Sequence, residues 1–189
     1  KDYLTSRGFE LIETKSQSAA ALVKEAADAD GIILMTEPFP NTLADQLPKL
    51  KVIARHGVGY DNIDPEFWAK RGVWVTIAKN ANASTVAEST LAAMMAISKN
   101  LVPTTEHLCQ GDWGWTFNHL GFDLAGKTLG IVGYGRIGRM IAKKASAFDM
   151  KIIAYTPSNR SDGNAEMVDR DTVFKEADII SLNMRVTPE

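Results

Sequence analysis

The sequence predicts an α/β fold in which parallel strands alternate with covering helices. Short apolar runs of strand length, such as 31–35 and 128–132, alternate with segments that have helical apolar spacing. In addition, residues 133–138 read Gly-Tyr-Gly-Arg-Ile-Gly and join one such strand to one such helix. This arrangement is typical of a parallel sheet with helices on its faces.

The predicted elements of the first hundred residues follow from composition, periodicity and helix-end signals. Gly8 ends the first helix, Ala-rich composition predicts the second, and short apolar runs predict the strands. In order, they are a helix at 2–7, a strand at 9–12, a helix at 19–27, a strand at 31–35, a helical turn at 42–47, a strand at 51–54, a helix at 64–70 and a strand at 73–76. The longest helical pattern, 84–100, has Ser84 or Thr85 as N-cap and is apolar on more than one face. We expect it to be buried between two domains.

A second α/β unit begins at residue 126. Its predicted elements are a strand at 128–132, a helix at 136–148, a strand at 151–155, a short helix at 172–175 and a strand at 178–183. They form one βαβαβ half of a doubly wound sheet, in which the first strand is normally central. With only these strands, its other edge would be open. That open edge, and a start at Lys1 within helical sequence, predict that the chain is a portion of a longer polypeptide.

Composition excludes several classes of protein. The chain has 189 residues, 45% of them hydrophobic, and a net charge of −2, so we expect no nucleic-acid partner. No apolar run approaches the roughly 18 residues of a membrane span, and no membrane partner is expected. The only cysteine, Cys109, permits no internal disulfide and favours the cytoplasm. It could be a nucleophile, but a half-buried helix residue is favoured. The three histidines lack ligand spacing, so no metal site is expected.

The glycine motif is the strongest functional signal in the chain. Gly133 permits a tight turn, Gly135 lets the backbone approach a pyrophosphate, and Gly138 lets the helix pack closely on the strand. The amides that open the helix then face the phosphates, where the helix dipole favours negative charge. The alternative is a glycine-rich turn that binds no nucleotide.

Three ordered segments carry a family resemblance: RHGVGYDNID at 55–64, NASTVAE at 82–88 and LAGKTLGIVGYGRIG at 124–138. Together they resemble the D-isomer-specific 2-hydroxyacid dehydrogenases, particularly the phosphoglycerate dehydrogenase-like branch. The resemblance implies that residues 1–100 are the N-terminal part of a flavodoxin-like substrate domain. Residues 101–189 would be the first, incomplete half of a Rossmann dinucleotide-binding domain, with the active site in the cleft between the domains.

The resemblance also implies which residues form the site. The amides of Val58 and Gly59, in the 57–59 loop, would hold a substrate carboxylate, unless this loop is a plain turn. Asn82 would contact substrate, although it could instead serve a helix N-terminus. Gly133, Gly135, Arg136, Ile137 and Gly138 would hold the pyrophosphate. Thr85 and Val86 would pack at the nicotinamide end, or else serve the same helix N-terminus.

The chemistry implied is reversible hydride transfer between NAD(P) and the second carbon of a small D-2-hydroxy or 2-oxo acid. The histidine, glutamate and arginine that perform it in the family belong to segments beyond residue 189. None of His56, His107 and His119 matches the motif of the catalytic histidine. We therefore assign no catalytic residue within 1–189.

Two departures from the family pattern concern the cofactor and the substrate. Thr156 stands where a carboxylate normally accepts the adenosine ribose, and Ser158 and Arg160 follow where a 2′-phosphate would lie. NADPH is therefore modestly favoured, although Arg160 could be a solvated loop residue. Glu37 stands where some phosphoglycerate-specific members carry an arginine, so hydroxypyruvate or glyoxylate is at least as good a candidate as phosphoglycerate.

The leading hypothesis is an NAD(P)-dependent oxidoreductase that acts as a homodimer. An aromatic segment after helix 84–100 predicts the dimer contact, with Trp113, Trp115, Phe117 and Leu120. One alternative is a non-catalytic, dinucleotide-sensing, corepressor-like protein of the same fold. Another is that 189 residues are the natural product, a remnant without turnover.

Overall fold

The computed structural model describes residues 1–16, 18–79 and 81–184, and the chain forms two compact units, Lys1–Ala81 and Asn82–Glu189. The sequence placed its boundary at residue 100, whereas the compact units divide before the long helix α4 (Ala83–Ser98). The reason is packing, because the buried side of α4 joins the core of the second unit through Ala87, Leu91 and Met94.

The first unit contains a parallel three-stranded sheet in the order β1-β2-β3. Its elements are α1 (Asp2–Thr5), α2 (Ala19–Ala26), β1 (Gly31–Leu34), a 3₁₀ turn (Asn41–Gln46), β2 (Val52–Arg55), α3 (Pro65–Lys70) and β3 (Trp74–Ile77). Ile53 on the central strand is fully buried and pairs with Ile32 and Val75. Trp68 of α3 packs against Phe39, with their ring centroids 5.2 Å apart, and closes the core on one face of the sheet.

The second unit contains a parallel four-stranded sheet in the order β6-β5-β4-β7. After α4 come α5 (Leu101–Cys109), α6 (Gly114–Asn118), β4 (Thr128–Val132), α7 (Arg136–Ala145), a 3₁₀ turn (Ser146–Phe148), β5 (Lys151–Tyr155), β6 (Glu166–Met167), α8 (Arg170–Glu176) and β7 (Ile179–Leu182). Leu129, Ile131 and Ile141 are fully buried between this sheet and its helices. The predicted α/β class with parallel sheets is therefore confirmed.

The expectation that the first strand of this sheet has an open edge is wrong. β4 pairs with β5 on one side and with β7 on the other. The sequence analysis missed β6, which has only two residues and pairs with the outer side of β5. The last predicted strand, at 178–183, therefore corresponds to β7, the fourth strand of this sheet. It lies on the side of β4 opposite β5, as the doubly wound order requires.

Smaller differences have local causes. Residues 9–12 do not form the predicted strand, since Phe9 and Ile12 are about half exposed and have no buried face to favour pairing. The long helix begins one residue early, with Asn82 rather than Ser84 or Thr85 at the N-cap. Cys109 is exposed rather than half-buried. Among the described residues, none of the helices has both the length and the apolar character needed to cross a membrane.

Candidate functional site

The glycine turn lies at the carboxyl end of β4, the central strand of the second sheet. Gly133 has a positive φ of 97° and donates its N–H to the Tyr155 carbonyl at 2.8 Å. A Cβ at this position would lie 2.7 Å from the Asn183 carbonyl carbon, which is backbone and cannot rotate away. Both the conformation and the close approach therefore require glycine.

The other two glycines of the motif serve different purposes. A Cβ on Gly138 would lie 2.5 Å from the Gly133 carbonyl oxygen, so this glycine allows α7 to pack against the turn. Gly135 has φ −84° and ψ −156°, a conformation that any residue adopts, and no atom lies within 4 Å of its ideal Cβ. Packing therefore does not require glycine at Gly135, and the space around its ideal Cβ is open.

The start of α7 completes this open cradle. The helix has 10 residues and no acidic residue in its first turn, so the positive end of its dipole is not neutralised from within the helix. Arg136 is exposed, whereas the Ile137 side chain packs against the core. Ile137 can therefore offer a ligand its backbone amide but not its side chain. Amides in the first turn of a helix have no intrahelical acceptor, which suits them to an anion.

The loop after β5 lies beside the glycine turn because Val132 and Tyr155 are paired in register at the ends of the two strands. Thr156 begins a tight turn in which its carbonyl accepts the Asn159 N–H at 3.0 Å, and Asn159 has a φ of 47°. Ser158 and Arg160 are exposed on this turn. The structure therefore brings the residues predicted for the ribose end and those predicted for the pyrophosphate to one edge of the sheet.

Two residues that the sequence analysis did not single out hold this loop. The Tyr134 hydroxyl donates to Asp162 Oδ1 at 2.7 Å, and the Tyr134 side chain is only 2% exposed. Burial is the main reason that the pKa of Tyr134 is raised above its usual range, with a further contribution from Asp162. The hydrogen bond from Tyr134 is the main reason that the pKa of Asp162 is lowered. A tyrosine inside the glycine motif carries no sequence signal for a partner 28 residues away.

The N-terminus of α4 holds the three predicted site residues Asn82, Thr85 and Val86. The Asn82 carbonyl accepts the Val86 N–H at 2.9 Å, but the Asn82 side chain makes no capping hydrogen bond. Its side-chain amide therefore does not cap the helix, although Asn82 is the N-cap residue. Thr85 is exposed and Val86 is half-buried.

The remaining predicted site residues, Val58 and Gly59, lie in the first unit, in the loop that follows β2. Gly57 has a φ of 152° and its carbonyl accepts the Ala78 N–H at 2.9 Å, so the loop is tied to the chain after β3. The Asn62 amide donates to the Glu37 carbonyl at 2.7 Å and ties the same loop to the segment after β1. These bonds fix the loop at the carboxyl ends of all three strands.

A guanidinium group lies against this loop. Arg55 Nη1 donates to the His56 carbonyl and would lie 2.6 Å from a Cβ on Gly57. The buried Nε of Arg55 has no hydrogen-bond partner among the residues that the structure describes. An unsatisfied cationic donor beside glycine amides suits a small anion. Within the described parts of the chain, no group of three His, Cys, Asp or Glu side chains could hold a metal ion.

Comparisons with known proteins agree with this geometry. Residues 91–189 match the family model described as "D-isomer specific 2-hydroxyacid dehydrogenase, NAD binding domain". The chain is 38% identical over 188 residues to a glyoxylate reductase of Thermococcus litoralis, covering 94% of the chain and 57% of the relative. It is 44% identical over 139 residues to a hydroxypyruvate reductase of Thermotoga maritima, covering 73% of the chain and 45% of the relative.

Two further similar proteins are named for other activities. A D-3-phosphoglycerate dehydrogenase of Methanocaldococcus jannaschii is 37% identical over 174 residues, covering 89% of the chain and 33% of the relative. The crystal structure of an NAD-dependent formate dehydrogenase from Staphylococcus aureus in complex with NAD superposes with a TM-score of 0.87 at 26% identity, covering 100% of the chain and 58% of that protein.

The chain thus spans little more than half the length of the glyoxylate reductase and less of the other two relatives. The family model covers more than half of the chain, and its match includes the whole glycine turn and the loop after β5. On these grounds, the chain belongs to the D-isomer specific 2-hydroxyacid dehydrogenase family.

Proposed function

We propose that this protein is an NAD(P)-dependent oxidoreductase that interconverts a small D-2-hydroxy acid and its 2-oxo acid. The observation that carries the proposal is the open space above Gly135, where the fold tolerates a side chain but the motif has none. A glycine that the fold does not require at a helix N-terminus is explained by a ligand that approaches the backbone. The names of the relatives, which include glyoxylate and hydroxypyruvate reductases, support the reaction class.

In this proposal the second unit is the dinucleotide-binding domain and the first unit is part of the substrate domain. The amides of residues 135–138 would hold the pyrophosphate, and Thr85 and Val86 would pack at the nicotinamide end. When bound, the cofactor would supply or accept the hydride. The amides of Val58 and Gly59 would hold the substrate carboxylate, with the Arg55 guanidinium, whose Nε has no partner among the described residues, beside them. No residue of 1–189 is assigned the proton-transfer role.

The substrate class follows from charge. Glu37 lies next to the substrate loop, since its carbonyl accepts the Asn62 amide at 2.7 Å. Its carboxylate would repel a phosphate group on the substrate. We therefore favour glyoxylate or hydroxypyruvate over a phosphorylated 2-oxo acid.

The protein isolated from its source tests this proposal by the oxidation of reduced nicotinamide nucleotide in the presence of each acid. We expect turnover with glyoxylate or hydroxypyruvate, and kcat/KM at least tenfold lower with phosphohydroxypyruvate. Glu37→Gln should narrow that difference, and Glu66→Gln, at an exposed position on α3, is the matched control. Nucleotide binding without turnover of any acid would favour the dinucleotide-sensing alternative instead.

For the cofactor, we propose that NADPH is used at least as well as NADH. Thr156 provides no carboxylate to repel a 2′-phosphate, and Arg160 is exposed on the same turn. A hydrogen bond to a charged group contributes about 1.5–3 kcal/mol, which corresponds to roughly a tenfold to hundredfold preference. Thr156→Asp should shift the preference towards NADH, whereas Arg160→Ala should weaken NADPH alone. Steady-state kcat/KM for both nucleotides is the measurement, and equal effects of Arg160→Ala on both would contradict the assignment.

We also propose that the protein is a homodimer in the cytoplasm. Large apolar side chains at the end of α4 and on α5, α6 and the following segment are each more than half exposed: Ile97, Leu101, Val102, Trp113, Phe117 and Leu120. A second copy of the chain is the occupant we favour, because a two-fold axis would bury this surface against itself. Trp115 is not part of this surface, since it stacks between His107 and His119 with centroid distances of 4.4 and 4.0 Å.

Light scattering tests the homodimer. Phe117→Glu should produce a monomer at micromolar concentration, while Phe174→Glu, an exposed aromatic on α8, should leave the dimer intact. A wild-type protein that is monomeric at that concentration would contradict the proposal.

A further inference from the structure

Tyr134 belongs to two parts of the candidate site at once. Its backbone lies within the glycine turn, between Gly133 and Gly135, while its side chain is buried and reaches the loop after β5. There the hydroxyl donates to Asp162 Oδ1 at 2.7 Å. One side chain therefore joins the turn proposed for the pyrophosphate to the loop proposed for the adenosine ribose.

The loop that it reaches spans residues 156–165, between β5 and β6. Its two ends are fixed by the pairing of β6 with β5 and by the Val168 N–H, which donates to the Ala154 carbonyl at 3.0 Å. Within the loop, the Asn164 N–H donates to Asp162 Oδ1 at 3.1 Å and the Gly163 N–H donates to the Ser161 hydroxyl at 3.1 Å. Those bonds shape the loop locally, whereas the bond from Tyr134 ties it to the glycine turn.

The guanidinium of Arg139 lies near both members of the hydrogen bond between Tyr134 and Asp162. The Arg139 guanidinium, from the first half of α7, lies 5.8 Å from the centre of the Tyr134 ring. It also contributes to holding the pKa of Asp162 low, after the larger effects of Tyr134 and Asn164. The carboxylate of Asp162 is thus held ionised and bonded, two residues after Arg160.

We propose that Tyr134 is a positioning residue for cofactor selectivity, because its hydroxyl holds the 156–165 loop where Ser158 and Arg160 can meet a 2′-phosphate. This inference rests on the proposed NAD(P) site. Without the hydroxyl, the Asp162 carboxylate keeps its bond from the Asn164 N–H but is no longer held to the glycine turn. It then becomes an alternative ion-pair partner for Arg160, two residues earlier in the chain. The 2′-phosphate then loses its cation, while the pyrophosphate site is unchanged.

Tyr134→Phe tests the proposal, since it removes the donor and keeps the buried ring. Calorimetric dissociation constants for NADP⁺ and NAD⁺ are compared between the wild-type protein and the variant. We expect the NADP⁺ constant to rise by roughly tenfold and the NAD⁺ constant to change by less than about twofold. A defect in general folding would raise both constants by the same factor. Tyr155→Phe, at the end of β5, is the control for loss of a tyrosine hydroxyl near the site.

A double-mutant cycle separates the hydrogen bond from the charge of Asp162. Asp162→Ala removes a negative charge, which by itself favours a phosphate, but this effect cancels in the coupling between Tyr134→Phe and Asp162→Ala. We expect the two effects on the NADP⁺ constant to be strongly non-additive. Hydrogen exchange of the amides of Gly163 and Asn164 should also be faster in Tyr134→Phe than in wild type.

The outcomes distinguish this inference from the function on which it rests. A wild-type protein that binds neither nucleotide contradicts the proposed function. A wild-type protein that binds both, in which Tyr134→Phe changes the two constants equally or the cycle is additive, contradicts the positioning role of Tyr134 alone.

Discussion

Substituting Gly135 and Gly138 separately by alanine should divide the glycine motif into a binding part and a folding part. Gly135 has backbone angles that alanine adopts without strain and no atom within 4 Å of its ideal Cβ. Alanine there should change the free energy of unfolding by less than about 1 kcal/mol, because the lower entropy of the unfolded chain favours alanine whereas the helix N-cap position favours glycine. The added methyl group nevertheless lies where a pyrophosphate would approach the backbone.

Gly138 presents the opposite case. Its Cβ would lie 2.5 Å from the Gly133 carbonyl oxygen and 3.1 Å from the Ile131 side chain, in a fully packed part of the core. Inserting a methyl group into such a site typically costs about 1–3 kcal/mol. Gly138→Ala should therefore lower the free energy of unfolding, and any loss of nucleotide binding would accompany that loss of stability.

Urea denaturation and calorimetric titration with NADP⁺ and NAD⁺ measure both quantities on the same samples. For Gly135→Ala we expect wild-type stability together with at least a tenfold weaker affinity for both nucleotides. Wild-type affinity in Gly135→Ala would refute the reasoning, because the space above this glycine would then not be occupied by the ligand. Equal destabilisation by the two substitutions would refute the packing argument.

Three further predictions concern turnover, pH and the core. Residues 1–189 expressed alone should bind nucleotide. They should not reduce any 2-oxo acid at a rate comparable with that of the protein isolated from its source, because the resemblance assigns them no proton-transfer group. Comparable turnover would contradict this prediction. Since the pKa of Asp162 is lowered from its usual value of 3.8 on folding, its contribution to loop order is full above that pH and is lost as pH falls through the lowered pKa. The Asn164 N–H donates to Asp162 Oδ1, so hydrogen exchange of the Asn164 amide should be unchanged from pH 7 to 5 and accelerate, beyond its intrinsic pH dependence, only in stronger acid. Ile141→Ala, at a fully buried position of α7, should cost about 2–5 kcal/mol in urea denaturation. Lys143→Ala, at an exposed position of the same helix, should cost less than about 0.5 kcal/mol.

Strong periodicity and helix-end signals made most of the fold predictable from sequence. The strands Thr128–Val132 and Lys151–Tyr155 are predicted to the residue, because each is an apolar run bounded by turn residues. The strand Glu166–Met167 is too short to show the alternation of apolar and polar residues by which a strand is recognised in sequence. Because this strand was missed, the sequence analysis wrongly expected an open edge on β4. Of helix α5 the sequence predicted only a helical position for Cys109. Helix α6 was not predicted, since it has only five residues and begins at Gly114.

The site was predictable only where backbone geometry dictates residue type. The requirement for glycine at Gly133 and Gly138 follows from a positive φ and close packing, which are visible as a motif. The bond between Tyr134 and Asp162 leaves no such trace, because many side chains fit either position and the two are joined only by the folded loop. The unsatisfied Nε of Arg55 is likewise a property of packing and not of spacing.

The most direct test of the central claim is the stereochemistry of the reduction product. The protein isolated from its source is incubated with hydroxypyruvate and reduced nicotinamide nucleotide, and the 2-hydroxy acid formed is resolved by chiral chromatography. Membership of the D-isomer specific family and the proposed site predict nucleotide-dependent formation of the D-isomer alone. Formation of the L-isomer, or no product from hydroxypyruvate or glyoxylate with either nucleotide, would contradict the account.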